Sequence, residues 1–336
     1  LYLDVDLANK TMDRFEAPVT VNGGTLNVAG LQLLSDSVNP ETTINFTTDE
    51  ALKGSVQYTG AQGLQALSPI YKYNVKYLAD SGDFNFVRNV APNPYQSYNP
   101  AIYGSSVAMQ GVYTTQLANY DIAFSNLDQK MLLTQDQRNA LKYGNKYAAN
   151  DESNPQVYSP LYIPEENAGV WFRPYASFEQ VQLDNGPDVN NVLYGSLVGG
   201  DSSLIELGKG WDGQFSAYAG YNGSHQTFDG VGIYQNGGMV GLTAALYKGN
   251  FFEALTANFG ANVADIKSFV GHNDLTMLAT GIASKTGYNW ELAKGKFIIQ
   301  PSWTMSYTFI APFQNYTLGN GVEITNRNLN AIQLAP

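Results

Sequence analysis

The sequence predicts an all-β protein whose C-terminal half is an antiparallel transmembrane β-barrel, and three observations support this fold class. First, Gly (33), Tyr (23) and Phe (16) are abundant, whereas only 14% of residues are charged, compared with about 25% in an average globular protein. Second, apolar and polar residues alternate over long segments of residues 168–336. Third, the basic residues of this region concentrate between those segments.

The composition also excludes several kinds of protein. The chain has no cysteine, so a disulfide scaffold and cysteine chemistry are ruled out. A net charge of −11 makes nucleic acid a poor partner. The two histidines, His225 and His272, are expected to be ordinary polar loop residues. We assign no catalytic, cofactor-binding or metal-binding residue and expect no enzyme activity.

Residues 1–90 consist of short alternating runs separated by polar turns, which predicts a β-rich unit. The alternating segment 71–77 is followed by the turn residues 80–83 and by a second apolar run at 84–87, which predicts a hairpin. Stacked coils of a β-solenoid would produce a similar pattern, although no fixed repeat period is visible.

The next region, 91–167, reads as a linker that contains one helix. Three prolines lie within 91–106, and 134–167 is a polar connector. Between them, over 107–133, apolar residues recur at steps of three and four, which predicts an amphipathic helix roughly 40 Å long. Its apolar stripe comprises Met109, Tyr113, Leu117, Tyr120, Phe124, Leu127 and Met131. By itself, such a stripe fits a core helix or a partner-binding helix equally well.

From residue 168 onward the chain reads as about eight strands, the last near 330–336. Segments 170–179 and 297–309 alternate without interruption and are long enough to cross a bilayer when tilted. Aromatic residues near the strand ends suit a membrane-interface girdle better than an ordinary core. They include Trp211, Phe251, Phe252, Trp290 and Phe297.

The connections between these strands are expected to alternate in length, as in transmembrane β-barrels. Tight turns carrying Lys and Gly are expected at 209–210, 248–250 and 294–296. Long polar loops are expected around 182–191, 225–235, 265–275 and 310–328.

Few charged residues fall inside the predicted strands, which matters because a lipid-facing charge at mid-depth costs about 2–4 kcal/mol. Arg173 shares the polar face of the first strand with Tyr175 and Glu179, and Lys285 lies on a polar face of a later strand. We therefore expect these four side chains to face the lumen. Glu253 is an exception because it shares a face with apolar residues. Either water reaches it near the adjacent turn, or a bulge shifts the register.

Four segments carry a resemblance to a known family. They are 99–102 (Asn-Pro-Ala-Ile), 120–128 (Tyr-Asp-Ile-Ala-Phe-Ser-Asn-Leu-Asp), 169–175 (Gly-Val-Trp-Phe-Arg-Pro-Tyr) and 193–200 (Leu-Tyr-Gly-Ser-Leu-Val-Gly-Gly). In this order they resemble the C-terminal translocator region of a type V autotransporter. The resemblance covers about 100–336 well and 1–90 more loosely.

The resemblance implies a twelve-stranded outer-membrane barrel with a helix in its lumen and an exported passenger at the cell surface. It also implies outer-membrane lipid, the barrel-assembly machinery and periplasmic chaperones as partners. Residues 1–90 would then be the end of the passenger, 91–167 a linker holding the pore helix, and 168–336 about eight of the twelve strands. The usual aromatic C-terminal residue is absent, so we expect the sequence to be a fragment.

Two functions remain open at this point. The first is a translocator that exports and anchors its own passenger, whose ligand the sequence does not identify. The second is a porin-like passive channel, which would begin directly with strands. A soluble β-rich adhesin conflicts with the expected alternation of loop lengths. For the translocator, a chain that is outside at residue 90 and periplasmic at residue 168 must cross the membrane between them. The helix is then expected to thread the pore.

Overall fold

The computed structural model describes residues 1–15, 20, 22–59, 65–133, 138–139, 168–292 and 297–336. Most of the expected connector 134–167 and the expected turn at 294–296 therefore lie outside the described residues. The described chain is mostly antiparallel β-structure with one long helix, which confirms the predicted class.

Nine strands and a short helix occur in the described part of residues 1–90. The strands are β1 (Tyr2–Asp6), β2 (Thr11–Met12), β3 (Leu26–Val28), β4 (Gly30–Leu33), β5 (Glu41–Asn45), β6 (Val56–Tyr58), β7 (Gln65–Leu67), β8 (Lys72–Leu78) and β9 (Asp83–Arg88); the helix is α1 (Glu50–Lys53).

This N-terminal unit, residues 1–90, combines both arrangements that its sequence allowed. β1 pairs in parallel with β4, and β3 pairs in parallel with β6, so Tyr2 lies beside Gly30 and Leu26 beside Val56. These partners are 28 and 30 residues apart, which is how stacked coils wind. β8 and β9 form the predicted antiparallel hairpin within a sheet of order β5-β9-β8-β7. The alternating inward residues of these strands build one apolar core.

The proline-rich segment after this unit forms two 3₁₀ turns, Pro94–Ser97 and Pro100–Tyr103. Each begins after an asparagine whose side chain accepts a backbone N–H two residues on, a standard N-cap. The second of these, Asn99, also donates from Nδ2 to the carbonyl of Ser68 at 2.8 Å. The turns are thereby fastened to the N-terminal unit. They lead into the long helix α2, Gly104–Met131, which starts three residues before the predicted boundary and ends two before it.

Thirteen strands occur in the described part of residues 168–336. They are β10 (Gly169–Gln182), β11 (Asp188–Asp201), β12 (Ile205–Gly208), β13 (Trp211–Phe228), β14 (Val231–Lys248), β15 (Phe251–Ser268), β16 (Gly271–Tyr288), β17 (Trp290–Leu292), β18 (Phe297–Ile299), β19 (Ser302–Pro312), β20 (Tyr316–Thr317), β21 (Glu323–Ile324) and β22 (Leu329–Ala335).

Eight of these strands form one antiparallel sheet in the order β10-β11-β13-β14-β15-β16-β19-β22, which confirms the predicted number. Short β12 pairs with one end of β13. In the described part of the chain β10 and β22 are the edges of this sheet and do not pair with each other.

The prediction of long loops around 225–235 and 265–275 is wrong. β13 and β14 each run for 18 residues and are joined by Asp229 and Gly230 alone, while β15 and β16 are joined by Phe269 and Val270. Asp229 and Gly230 have positive φ values of 34° and 79°, as a tight hairpin of the Asp-Gly type requires. His225, Lys267 and His272 therefore lie in strands and not in loops.

The prediction of one uninterrupted strand over 297–309 is also wrong. β18 ends at Ile299, and β19 begins at Ser302. Pro301 lies between them and has no N–H to donate to a neighbouring strand, which explains the break.

The lengths of the connections do not alternate as expected, since two-residue turns and longer connections occur at both ends of the large sheet. Connections 183–187, 229–230, 269–270 and 313–328 lie at what we call the loop end, and connections 202–210 and 249–250, with residues 289–292 and 297–301, lie at the turn end. The N-terminal unit contacts the loop end, where Asn320 donates to the carbonyl of Pro69 at 3.3 Å. Helix α2 also begins there, because Gly104 lies against Ile266. Its last residue, Met131, accepts a hydrogen bond from Asn289 at the turn end.

Candidate functional site

The face of the large sheet that points away from α2, the outer face, is apolar over much of its area. Along β10, Phe172 and Phe178 are 64% and 84% exposed, and Leu242 on β14 is 67% exposed. Other large apolar residues exposed on this face are Val170, Val198, Phe215, Tyr221, Val240, Leu246, Leu255, Phe259, Val263, Ile282, Trp303, Met305, Tyr307, Ile332 and Leu334. So much contiguous exposed apolar surface marks a contact with an apolar medium or partner.

This apolar surface forms a band of limited height. On β15 it extends from Leu255 to Val263, roughly 27 Å along the strand at 3.4 Å per residue. With strands tilted by 35–45°, this length corresponds to a band roughly 20 Å tall, comparable with the apolar belt of outer-membrane barrels, about 25 Å. Toward the turn end the band is bordered by aromatic residues, with Trp211 packed edge-on against Phe251 and Lys248 above the Trp211 ring.

Glu253 is the one charged side chain of the outer face between Lys248 and Asp265 on β14 and β15. No bulge interrupts the pairing of β15 with β14 or β16, so Glu253 points outward like Leu255. The Ser284 hydroxyl donates to one Glu253 oxygen at 2.6 Å, and the Thr286 hydroxyl donates to the other. These two bonds partly replace water around the carboxylate and reduce the cost of placing it beside an apolar band.

The face toward α2, the inner face, carries many buried polar side chains beside the apolar clusters that α2 contacts. Its buried polar side chains are Asn191, Gln214, Ser216, Asn222, Ser224, Gln226, Gln235, Thr243, Thr256, Asn258, Asn262, Ser306 and Thr308. Several bond across strands: Thr256 contacts both Tyr218 (2.8 Å) and Thr243 (2.9 Å). The sheet thus exposes an apolar band on its outer face and buries many polar side chains on its inner face, which is unlike a water-soluble β-protein.

The apolar stripe of α2 packs against this inner face in its second half. Tyr120, Phe124, Leu127 and Met131 are buried in one cluster with Leu204 of the β11–β12 connection and the sheet residues Ala245, Tyr247, Phe252, Ala254 and Ala283. The Tyr120 hydroxyl lies 3.1 Å from Thr308 Oγ1. Leu117 is half-buried beside this cluster, and Tyr113 is half-buried beside a second apolar cluster nearer the loop end.

The other side of α2 bonds to the first strands of the sheet. Tyr175 donates to Asn119 Oδ1 at 3.4 Å, and Asn191 donates to Thr114 at 3.2 Å and to Glu179 at 3.4 Å. Tyr175 therefore contacts the helix directly, whereas Glu179 reaches it through Asn191.

Gln226 binds α2 near the loop end. Its Nε2 donates to the carbonyl of Val107 at 2.8 Å and to Gln110 Oε1 at 3.2 Å. Gly111 allows this approach, because a Cβ there would lie 2.5 Å from Gln226 Oε1. The sequence did not predict this contact, because Gln226 falls in the expected loop 225–235.

Two basic residues form hydrogen bonds at the C-terminal end of α2. Lys285 donates to Asp128 Oδ1 at 2.8 Å, so this residue also points toward the helix. Arg138, 1% exposed, donates to the carbonyls of Leu133 and Gly249, and its Nε lies 3.7 Å from Asp212 Oδ2. The sequence offers no signal for Arg138, because it lies in a polar segment without periodicity.

Arg173 is the one expected lumen residue that the structure leaves exposed. It shares the inner side of β10 with Tyr175 by strand alternation. Of the four residues expected at the lumen, three thus lie in the contact network of α2, two directly and one through Asn191.

None of the helices in the described part of the chain has the length and apolarity needed to span a membrane.

Comparison with solved structures gives similarity to an autotransporter domain. No known protein family matches the chain, and no curated protein does. Among solved structures, the chain is similar to the beta domain of the Bordetella autotransporter BrkA, with 18% sequence identity and a TM-score of 0.41. The similarity covers 50% of this chain and 68% of the other.

Proposed function

We propose that the chain is an outer-membrane translocator of the autotransporter type, which exports its own N-terminal passenger and anchors it at the cell surface. The observation that carries this proposal is the distribution of polarity in the large sheet, with an exposed apolar band outside and, inside, many buried polar side chains on the face occupied by α2. In this assignment 1–90 is the end of the passenger, 91–167 the linker with the pore helix, and 168–336 barrel strands.

The physical basis is that hydrocarbon offers no hydrogen bonds to polar groups. A membrane-spanning sheet must therefore turn its polar side chains inward and its apolar side chains outward. In water the same arrangement would expose the apolar band and bury many amides and hydroxyls, both at a cost in free energy. The outer-membrane bilayer is thus the first partner of this chain. Assembly machinery and periplasmic chaperones follow as expected partners.

The direction of export follows from the two ends of the sheet. The N-terminal unit lies at the loop end, and α2 leads the chain from there to the turn end. If the N-terminal unit is at the cell surface, the turn end faces the periplasm. Helix α2 is then the segment of chain that remains in the pore.

A porin-like passive channel is the alternative, and the position of α2 argues against it. A passive channel needs an open, water-filled lumen. Here the helix contacts β11, β13, β14, β15, β16 and β19, which leaves most of the inner face covered.

Deleting Gly104–Met131 from the reconstituted protein tests the proposal. We expect the deletion to raise single-channel conductance in planar bilayers several-fold, because the helix would no longer obstruct the lumen. Deleting residues 1–90 is the matched control, since it removes more chain but leaves α2 in place, and conductance should stay low. Equal conductance of the intact protein and the helix deletion would favour the porin-like function.

A further inference from the structure

A histidine and two aspartates converge on the outer face at the loop end, beyond the apolar band. Asp265 on β15 lies directly opposite Asp274 on β16, and His272 lies on the same face as Asp274, two residues earlier. One ligand atom from each residue lies within 4.8 Å of the other two. This arrangement is independent of the lumen and of the proposed export function.

The oxygens of Asp265 are used differently. Oδ2 lies 3.0 Å from Lys267 Nζ. Oδ1 lies beside His272 Nε2, which is itself 3.8 Å from Asp274 Oδ1. Oδ1 is fully buried and has no hydrogen bond of acceptable geometry in the described residues. Lys267 meets the charge of this carboxylate from the Oδ2 side, and a cation held at Oδ1 would meet it from the side of the cluster.

The pairing of the two aspartates also favours a cation between them. Like charges directly opposite each other on neighbouring strands destabilise a sheet. Lys267 meets only the far oxygen of Asp265, and Asp274 faces the imidazole. The space between the three ligand atoms therefore lies between two negative charges, with one imidazole nitrogen at its edge.

We propose that Asp265, His272 and Asp274 form a binding site for a divalent transition-metal ion, with Zn²⁺ as the best fit. Imidazole nitrogen and carboxylate oxygen are both ordinary Zn²⁺ ligands, at about 2.0–2.2 Å, and three protein ligands leave one position for water. Ca²⁺ and Mg²⁺ fit less well, because they prefer all-oxygen shells of six or more ligands. His272 is 56% exposed and Asp274 65%, so both side chains can rotate to close the shell around the ion.

Titration of the detergent-purified full chain with ZnCl₂ tests this site, using a purification tag without histidine. We expect one Zn²⁺ per chain in isothermal titration calorimetry. Co²⁺ in place of Zn²⁺ should give a visible absorption band. His272→Ala and Asp274→Asn should each weaken binding by at least about tenfold, the loss typical of disturbing a metal site.

The chain offers a matched control in its other histidine. His225 stacks on Tyr234 at 4.1 Å and is not part of the cluster, so His225→Ala should bind Zn²⁺ like the unmodified protein. If His272→Ala does not fold, Zn²⁺ binding by Asp274→Asn tests the site on its own, because this substitution keeps the shape of an exposed side chain. Absence of stoichiometric Zn²⁺ binding by the unmodified chain would overturn the proposal, as would an equal loss in His225→Ala.

Discussion

At the scale of single residues, a small polar cluster joins the linker to the loop end of the sheet. The hydroxyl of buried Tyr95 donates to Asp229 in the β13–β14 turn, and Lys72 Nζ lies 4.8 Å from the centre of the Tyr95 ring. Burial, and then the nearby Asp229 carboxylate, raise the pKa of Tyr95 far above its ordinary value. Burial lowers the pKa of Lys72, and Asp229 opposes that change.

Tyr95→Phe should therefore destabilise the contact in a pH-dependent way. A hydrogen bond to a charged group contributes about 1.5–3 kcal/mol, so the variant should release the linker for proteolysis more readily at neutral pH. Because the pKa of Tyr95 is raised on folding, its contribution is present below about pH 10, the unfolded pKa, and declines as the pH rises further. Pulse proteolysis from pH 7 to 11 measures the difference.

Lys72 acts in the opposite direction near the same pH, since its lowered pKa favours folding as the pH rises. Comparing Tyr95→Phe with the unmodified chain removes this effect, because both contain Lys72. A difference between the two proteins that stays constant up to pH 11 would show that the Tyr95 hydroxyl does not stay protonated in the folded state.

At the scale of elements, the fit of α2 against the inner face depends on close approach at a few positions. A Cβ at Gly281 of β16 would lie 1.6 Å from the Tyr120 hydroxyl and 3.0 Å from the carbonyl oxygen of Tyr307. Tyr120 is 2% exposed and cannot easily move aside. The helix therefore sits in a groove that a single methyl group at this position would fill.

Gly281→Ala should destabilise the folded protein by about 1–3 kcal/mol, the usual cost of overpacking. Gly238→Ala is the control, because a Cβ there points outward and meets its nearest atom at 3.8 Å. Urea unfolding in detergent measures both variants. If the two lose stability equally, the methyl group at Gly281 does not disturb the helix, and the packing described for Tyr120 is incorrect.

At the scale of the whole molecule, the distribution of polarity in the large sheet separates a membrane protein from a soluble one. An exposed leucine of a soluble protein can be replaced by a charged residue with little effect on stability. A leucine in contact with lipid cannot, because an arginine near the bilayer midplane costs about 2–4 kcal/mol. The band around Leu242 makes this difference measurable.

Leu242→Arg should lower the free energy of unfolding in lipid vesicles by about 2–4 kcal/mol. Thr227→Arg is the matched control, since Thr227 is exposed on the same face but lies at the loop end beyond the band. Denaturant titration of both variants in vesicles measures their free energies of unfolding. Equal stability of the two arginine variants would show that the outer face is in water, which would contradict the proposed membrane location.

The middle strands show where sequence reasoning succeeded and where it failed. Within the apolar band, period-two alternation identifies both the strands and their faces, because one face meets an apolar medium. Toward the loop end the polarity reverses: Phe228, Val231 and Ile233 are buried on the inner face, whereas His225 and Asn236 point outward. The alternation thus changes phase along these strands, and Gln226 and Gln235 interrupt it on the inner face, so 225–235 and 265–275 resemble loops. The Asp-Gly pair at 229–230 was the available signal for a hairpin.

The sequence alone determined the β-class, the eight strands of the large sheet, the helix and its apolar stripe, and the polar face of β10. These are local properties, because each depends on residues two to four positions apart. Only the tertiary structure decided that Ser284 and Thr286 bond to Glu253, that Arg138 reaches Asp212, and that Asp265 faces Asp274. These contacts join residues distant in the chain, and they depend on the register of paired strands. Local patterning does not encode that register where the apolar side of a strand changes from one face to the other.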